Sequence, residues 1–277
     1  MYISTPRTEA HTIAPHLQRC ISDVSDWCGS RRLQLNAAKT EVIWFGSKSL
    51  SDRDKAVVIA NETLQPVDSV RNLGVYLDSE LNMRAHITKT TQACFFQLRR
   101  LRQMCCLLGR NVTASLVATF ILSRLDYCNA LLAALPQSTM APLQRVMSAA
   151  ARLVCNLRSR DHVTPALIEL HWLPITARVH YKLCLLVHSA VVGTAPDYLK
   201  NMLHAVSERE SRRALRSATN NDMVVPRSRL KFGERAFSIA APRAWNSIPA
   251  DLRATLNTAT FKKNLKTFLF RESYSTF

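Results

Sequence analysis

The sequence predicts an α+β fold that is mostly α-helical, and three observations support this. Short runs rich in β-branched residues are confined to residues 39–77, as expected for a small antiparallel sheet. From residue 83 onward, apolar residues recur at three- and four-residue spacing, which is the period of amphipathic helices. Hydrophobic residues make up 47% of the chain and charged residues 21%, a balance typical of globular proteins.

The first eighty residues are predicted to form one helix and several short strands. Five apolar residues at helical spacing predict a helix over 11–30, which ends near Gly29. Segments 39–46, 56–60 and 70–77 are predicted as strands, because they are rich in β-branched and aromatic residues. The apolar residues of the helix are Ile13, Leu17, Ile21, Val24 and Trp27.

Four longer helices are predicted in the next part of the chain. The first ends at Gly109, and the second begins at a cap supplied by Asn111 or Thr113 and runs to about position 132. The third spans 140–156 and the fourth spans 175–192. The apolar stripe of the third helix consists of Leu143, Val146, Met147, Ala150, Leu153 and Val154.

The composition changes again near the C-terminus. Residues 207–221 are rich in Arg, Ser and Glu and are predicted to form an exposed linker. A short hairpin is predicted within 223–237, and short helices over 236–245 and 260–270.

Charge divides the chain into three parts, which we predict to be its domains. Residues 1–81 carry 9 Lys and Arg against 10 Asp and Glu, residues 82–205 carry 14 against 4, and residues 206–277 carry 14 against 6. We expect a sheet-containing domain, a helical bundle and a basic linker with a C-terminal extension. Basic surfaces bind polyanions, so RNA and DNA are the expected partners.

Clustered arginines are the candidate nucleic-acid-binding residues. On the first long helix, Arg99, Arg100 and Arg102 lie away from the apolar face, where guanidinium groups can contact phosphates without selecting a sequence. The other candidates are Arg145, Arg152, Arg212, Arg213, Arg227 and Arg229.

Cysteine usage predicts a reduced, cytoplasmic or nuclear protein. The eight cysteines form no CxxC pair, and most fall among apolar helical positions, which is typical of buried thiols rather than of disulfides or zinc ligands. The N-terminal residues lack the features of a signal peptide, so secretion is not expected. Apolar stretches are interrupted by charges before they reach membrane-spanning length, and no membrane association is expected.

Carboxylates suitable for catalysis or metal binding are few. The chain has no adjacent Asp pair, and Asp23 with Asp26 on one helix face is best explained as a solvated surface. Asp126 interrupts an apolar run, so we predict that it is a buried polar group that pairs with an Arg or caps a neighbouring segment.

A series of motifs extends along nearly the whole chain. They are Lys39-Thr40-Glu41, Val70-Arg71-Asn72-Leu73-Gly74-Val75, Ser123-Arg124-Leu125-Asp126-Tyr127-Cys128-Asn129, His171-Trp172-Leu173-Pro174-Ile175, Val225-Pro226-Arg227-Ser228-Arg229 and Ala241-Pro242-Arg243-Ala244-Trp245-Asn246. Together these motifs resemble the C-terminal part of non-LTR retrotransposon reverse transcriptases of the jockey-like kind.

The resemblance implies a palm remnant over 1–81 and a thumb-like helical bundle over 82–205. Lys39 matches a lysine near the phosphates of the incoming nucleotide, and Leu73, Gly74 and Val75 match the primer grip. The parent enzyme is an RNA-directed DNA polymerase that uses Mg²⁺ and binds a template–primer duplex. The resemblance implies that its metal-binding aspartate pair lies just before the strand that Tyr2-Ile3-Ser4 matches, so we expect this chain to start after that pair and to hold the duplex without extending it.

Two alternatives to a reverse-transcriptase part remain open. The chain is alternatively a non-catalytic helical module that binds nucleic acid or acts as a scaffold, or else an inert relic of a mobile element. A sharp cooperative melt of the isolated chain would argue against the inert relic, which has no stable fold of its own.

Overall fold

The computed structural model describes residues 10–36, 39–45, 57–59, 62–208, 221–228 and 232–275. The chain forms two compact units, Met1–His86 and Ile87–Phe277. The predicted domain limits near positions 81 and 205 are not tested by this division and stay predictions.

The described residues are mostly helical and contain two small antiparallel sheets, which confirms the predicted α+β, mostly α class. The strands are β1 (Val57–Ile59), β2 (Glu62–Leu64), β3 (Ser69–Asn72) and β4 (Val75–Asp78). The helices are α1 (Ala10–Ser30), α2 (Arg84–Met104), α3 (Arg110–Val117), α4 (Ser123–Asp126), α5 (Gln137–Val154), α6 (Thr164–Glu169), α7 (Ile175–Val191), α8 (Asp197–Lys200), α9 (Phe237–Asn246), α10 (Ala250–Arg253) and α11 (Thr258–Tyr274).

In the first unit, α1 confirms the helix predicted over 11–30. Its predicted apolar face is only partly covered, since Val24 is 40% and Trp27 is 58% exposed. Strands β1 and β2 pair through Val57 and Leu64 at their outer ends.

The predicted strand region over 70–77 forms a tight hairpin. Strands β3 and β4 pair from Ser69 opposite Asp78 to Asn72 opposite Val75. The two-residue loop, Leu73–Gly74, has φ values of 46° and 84°. Positive φ at both loop residues is the geometry that matches the twist of a hairpin, and glycine adopts it with least strain.

The strand predicted over 39–46 is wrong for its described part, 39–45. Only an isolated bridge forms there, between Val42 and Pro66, with the Val67 N–H donating to the Val42 carbonyl at 2.8 Å. Pro66 has no N–H, so the segment opposite Val42 cannot continue a ladder of hydrogen bonds.

In the second unit, one helical rod runs from α3 to α4 through a π-helical turn, Ala118–Leu122. The caps predicted at Asn111 and Thr113 are wrong, because Gly109 is the N-cap and the helix begins at Arg110. The helix predicted to reach about position 132 ends at Asp126, because Tyr127 is extended and Cys128 is left-handed at φ 51°. A short 3₁₀ turn, Asn129–Leu132, follows.

Helix α7 lies at the centre of the second unit, where it packs against α5, α9 and α11. Both α5 and α7 confirm predicted helices, and the whole predicted stripe of α5 is buried. Trp245 of α9 and Phe261 of α11 are fully buried beside α7 and supply the largest side chains of the core. Burying aromatic residues of this size makes a major contribution to the stability of such a core.

The C-terminal helices α9 and α11 confirm the two short helices predicted there. The hairpin predicted within 223–237 is wrong for the described residues of that segment. Met223 instead bridges to Ala205, and a 3₁₀ turn at Gly233–Arg235 leads into α9. Within the described ranges, no helix has both the length and the apolar character needed to cross a bilayer.

Candidate nucleic-acid interface

Helix α2 presents a buried side and a basic side. Ile87, Cys94, Leu98 and Leu101 are buried along one face. At 100° per residue, the side chains opposite this face are those of Lys89, Phe96, Arg99 and Arg100. Arg102 lies at the edge of the buried face. All five of these are exposed.

The basic side of α2 combines charge with an aromatic ring. The Arg100 guanidinium lies 5.9 Å from the centroid of the Phe96 ring, a distance at which the ring quadrupole attracts a cation. Phe96 itself is 50% exposed. Across the residues that the structure describes, Lys89, Arg99, Arg100 and Arg102 have no acidic partner in an ion pair. We call Lys89, Phe96, Arg99, Arg100 and Arg102 the α2 basic face.

Sequence reasoning predicted the three arginines of this face but missed Lys89 and Phe96. The signal was present, because Lys89, Phe96 and Arg100 are separated by seven and four residues, which places them on one helical stripe. Such a stripe of cations and a ring is the pattern used to follow a nucleic-acid strand.

The other predicted arginines are distributed over the second unit. Arg145 on α5 and Arg227 are exposed. Arg152 is half-buried, and its guanidinium donates to the backbone carbonyl of Asp161 at 3.3 Å, so it also holds the loop that follows α5. The predicted candidates Arg212, Arg213 and Arg229 lie outside the described residues.

Several arginines that add to the basic charge are engaged in ion pairs. Arg110 pairs with Glu169 at 2.6 Å, and Arg253, which is 6% exposed, pairs with Asp222. Each pair lowers the charge that its arginine can offer to a ligand. The total of 37 Lys and Arg therefore overstates the number of cations available for binding.

Asp126 lies at the end of α4 and pairs with Arg178 of α7 at 2.5 Å. Its other oxygen accepts a hydrogen bond from the Asn129 side chain at 3.5 Å. The predicted pairing with an Arg is confirmed, whereas Asp126 is half-buried rather than buried. Asp126 thus joins two helices of the bundle.

The residues matched to the polymerase lie in the first unit. Leu73 is 85% exposed at the hairpin tip, and Val75 is buried beneath it. Lys39 is exposed, and its backbone N–H donates to the Asn36 carbonyl at 3.1 Å. The roles that the resemblance gives to Lys39, Leu73, Gly74 and Val75 stay predictions.

Cysteine environments differ along the chain. Burial raises the pKa of the Cys94 thiol to about 11, although the nearby Arg124 opposes this change. Burial also raises the pKa of Cys184. Cys128 is exposed, so the expectation of buried thiols is wrong at this position. Its left-handed backbone, at φ 51°, ends the preceding helix and leaves its side chain outside the core.

The resemblance implies Mg²⁺ for the intact enzyme. The residues that the structure describes do not fit such a site, because no three His, Cys, Asp or Glu side chains converge anywhere among them. Holding divalent metal for nucleotidyl transfer requires several carboxylate oxygens at one place.

Comparisons with protein-family models, with curated proteins and with solved structures give no match for this chain.

Proposed function

We propose that the chain is the C-terminal part of a non-LTR retrotransposon reverse transcriptase and that its helical unit binds the template–primer duplex. The observation that carries the proposal is the α2 basic face. Four cations and one ring are exposed there along a single helix, and none of the cations is in an ion pair with another described residue.

The length of this face suits a phosphate backbone. From Lys89 to Arg100 the helix rises about 16 Å, at about 1.5 Å per residue. Phosphates along one strand of a duplex advance about 3.4 Å along the axis per base pair, so the face covers about five of them. Contacts of this kind fix the register of a protein on a duplex and provide affinity without sequence choice.

Charge distribution supports the same partner. Residues 82–205 carry 14 Lys and Arg against only 4 Asp and Glu. The structure describes every one of these residues, so the excess of cations belongs to the helices and the loops between them and not to a tail. A phosphate backbone that binds such a surface releases counterions, which makes the affinity depend on salt.

The test is a titration of the purified chain with a fluorescently labelled RNA–DNA hybrid at several salt concentrations. For about four phosphate contacts, one for each cation of the α2 basic face, the logarithm of the association constant falls with the logarithm of salt concentration at a slope of about −4. A flat salt dependence, or no binding at low salt, contradicts the proposal.

A scaffold module is a second candidate function. One observation favours it, namely that Val24 and Trp27 are exposed on the same face of α1. Exposed apolar side chains of this size are enriched where proteins contact one another. A scaffold of this kind gives no salt-dependent duplex binding, so the same titration distinguishes the two candidates.

A further inference from the structure

A cavity of about 430 Å³ lies in the second unit, between α4, the segment before α7, α7 itself and α11. Four leucines form much of its wall, and Trp172 and Tyr181 add two aromatic rings. A volume of this size is typical of pockets that hold small organic ligands. The lining is therefore suited to a ligand with a planar, apolar part.

Cations from two different helices meet at this cavity. Lys182 of α7 and Lys266 of α11 both line it and both are exposed to solvent. Neither ammonium group has an acidic partner elsewhere in the described part of the chain. Two positive charges that face one concave surface attract an anion, since the low-dielectric wall focuses their field.

The one carboxylate that lines the cavity does not compensate these lysines. Asp126 is paired with Arg178 at 2.5 Å, and the Arg178 Nε also donates to the Leu173 carbonyl at 3.1 Å. Because this pair is internally neutral, the net charge around the cavity is set by Lys182 and Lys266.

A polar side chain of the cavity lacks one hydrogen-bond partner. Asn129 is 3% exposed, and its Oδ1 has no partner within the described ranges, although its Nδ2 reaches Asp126. A buried acceptor without a donor is unfavourable. Because Oδ1 itself is enclosed, the Asn129 side chain must turn toward the cavity before a ligand N–H can supply the missing hydrogen bond.

We propose that this cavity binds one nucleotide, with its phosphate between Lys182 and Lys266 and its base against Trp172 and Tyr181. A nucleotide unites the three chemical features that the cavity matches: an anion, a planar ring and polar groups at the ring edge. The site does not use the α2 basic face, so it goes beyond the duplex binding proposed above. The nucleotide is either free or the unpaired residue of a strand.

The test uses calorimetric titration of the full chain with AMP, with inorganic phosphate and with adenosine. Both parts of the ligand contribute, so AMP binds saturably and about tenfold more tightly than phosphate or adenosine alone. The K182Q and K266Q variants each weaken AMP binding about fivefold, since each removes one charge-assisted contact. The matched control is K263Q. Lys263 is exposed on α11, the helix that carries Lys266, but it does not line the cavity, so the K263Q variant keeps the wild-type affinity for AMP.

Three outcomes overturn the proposal: absence of saturable AMP binding, equal affinity for AMP and phosphate, or an equal loss in K263Q and K266Q. All three lysines are exposed, so circular dichroism melts of the variants should overlay that of the wild type. Competition between AMP and a single-stranded trinucleotide shows whether the natural ligand is a free nucleotide or a residue of a strand. The trinucleotide displaces AMP only if the site accepts part of a strand.

Failure of this proposal is distinguishable from failure of duplex binding. The R99Q/R100Q double variant alters the α2 basic face and leaves AMP binding intact. A weaker salt dependence of duplex binding in that variant, with AMP binding retained, supports two separate sites. Loss of AMP binding in R99Q/R100Q contradicts the assignment of the nucleotide to this cavity.

Discussion

Asn246 forms both backbone hydrogen bonds of Met223. Its Nδ2 donates to the Met223 carbonyl and its Oδ1 accepts the Met223 N–H, each at 2.8 Å. The side-chain amide thereby makes the pair of hydrogen bonds that a neighbouring β-strand would otherwise make with Met223. The preceding residue, Trp245, donates from Nε1 to the Asn221 carbonyl at 2.8 Å. Two consecutive side chains of α9 thus hold the segment that follows the undescribed residues 209–220.

Replacing Asn246 by Ala should lower the free energy of unfolding by about 2 kcal/mol, because both polar backbone groups of the buried Met223 lose their partner. Urea denaturation followed by circular dichroism measures the change. Asn264 is an exposed residue of α11, and N264A is the matched control with little expected effect. Equal stability of the N246A and N264A variants would show that the paired amide is dispensable.

The stability of the second unit should fall as pH decreases below about 6.5, the ordinary pKa of histidine. His188 is buried, its ring stacks on Phe261 with centroids 4.1 Å apart, and its Nε2 donates to the Thr255 carbonyl at 3.0 Å. Burial lowers the pKa of His188, and Lys262 lowers it further, while the hydrogen bond to Thr255 acts in the opposite direction.

The direction in which stability changes with pH follows from proton binding. With a pKa lowered in the folded state, the unfolded chain binds more protons below pH 6.5, so acid favours unfolding. The contribution is fully present above the unfolded pKa and is lost as pH falls through the folded pKa. His86 belongs to the first unit and acts on the stability of that unit in the same direction, because burial lowers its pKa too. The difference in unfolding free energy between pH 7.5 and pH 5.5 should be smaller for H188Q than for the wild type. If the H188Q variant loses as much stability between pH 7.5 and pH 5.5 as the wild type does, His188 is not the origin of the pH dependence.

Cysteine alkylation should follow exposure. At pH 8 we expect iodoacetamide to modify the exposed Cys20 and Cys128 first, and Cys94 and Cys184 only after unfolding. Burial shields the latter pair and raises the pKa of both thiols, which lowers the fraction present as reactive thiolate. Peptide mass spectrometry over a time course measures the order. Early modification of Cys184 in the folded chain is incompatible with its buried position on α7.

Local pattern predicted the helices of the second unit well, because a buried stripe such as that of α5 depends on residues three and four apart. It failed where a distant segment decides the outcome. The sequence around Val42 favours a strand, but its bridge partner is Pro66, which cannot extend the pairing. Cys128 lies in an apolar run, yet it takes a left-handed backbone that ends the helix.

The candidate site was predictable only in part, for a similar reason. Clustering of Arg99, Arg100 and Arg102 is visible in the sequence, because all three lie on one helix. Neutralisation of Arg178 by Asp126, 52 residues away, and of Arg253 by Asp222, 31 residues away, requires the folded chain. The cavity between α7 and α11 joins Lys182 to Lys266, which no local pattern connects.

The central claim is that the α2 basic face holds a nucleic-acid duplex, and a comparison of two double variants tests it most directly. R99Q/R100Q removes two charges from this face, and R158Q/R160Q removes two from exposed arginines in the loop after α5. In titrations of an RNA–DNA hybrid across salt concentrations, the magnitude of the slope should drop by about two in R99Q/R100Q. The slope of R158Q/R160Q should match that of the wild type. Equal slopes for the two variants would contradict the claim.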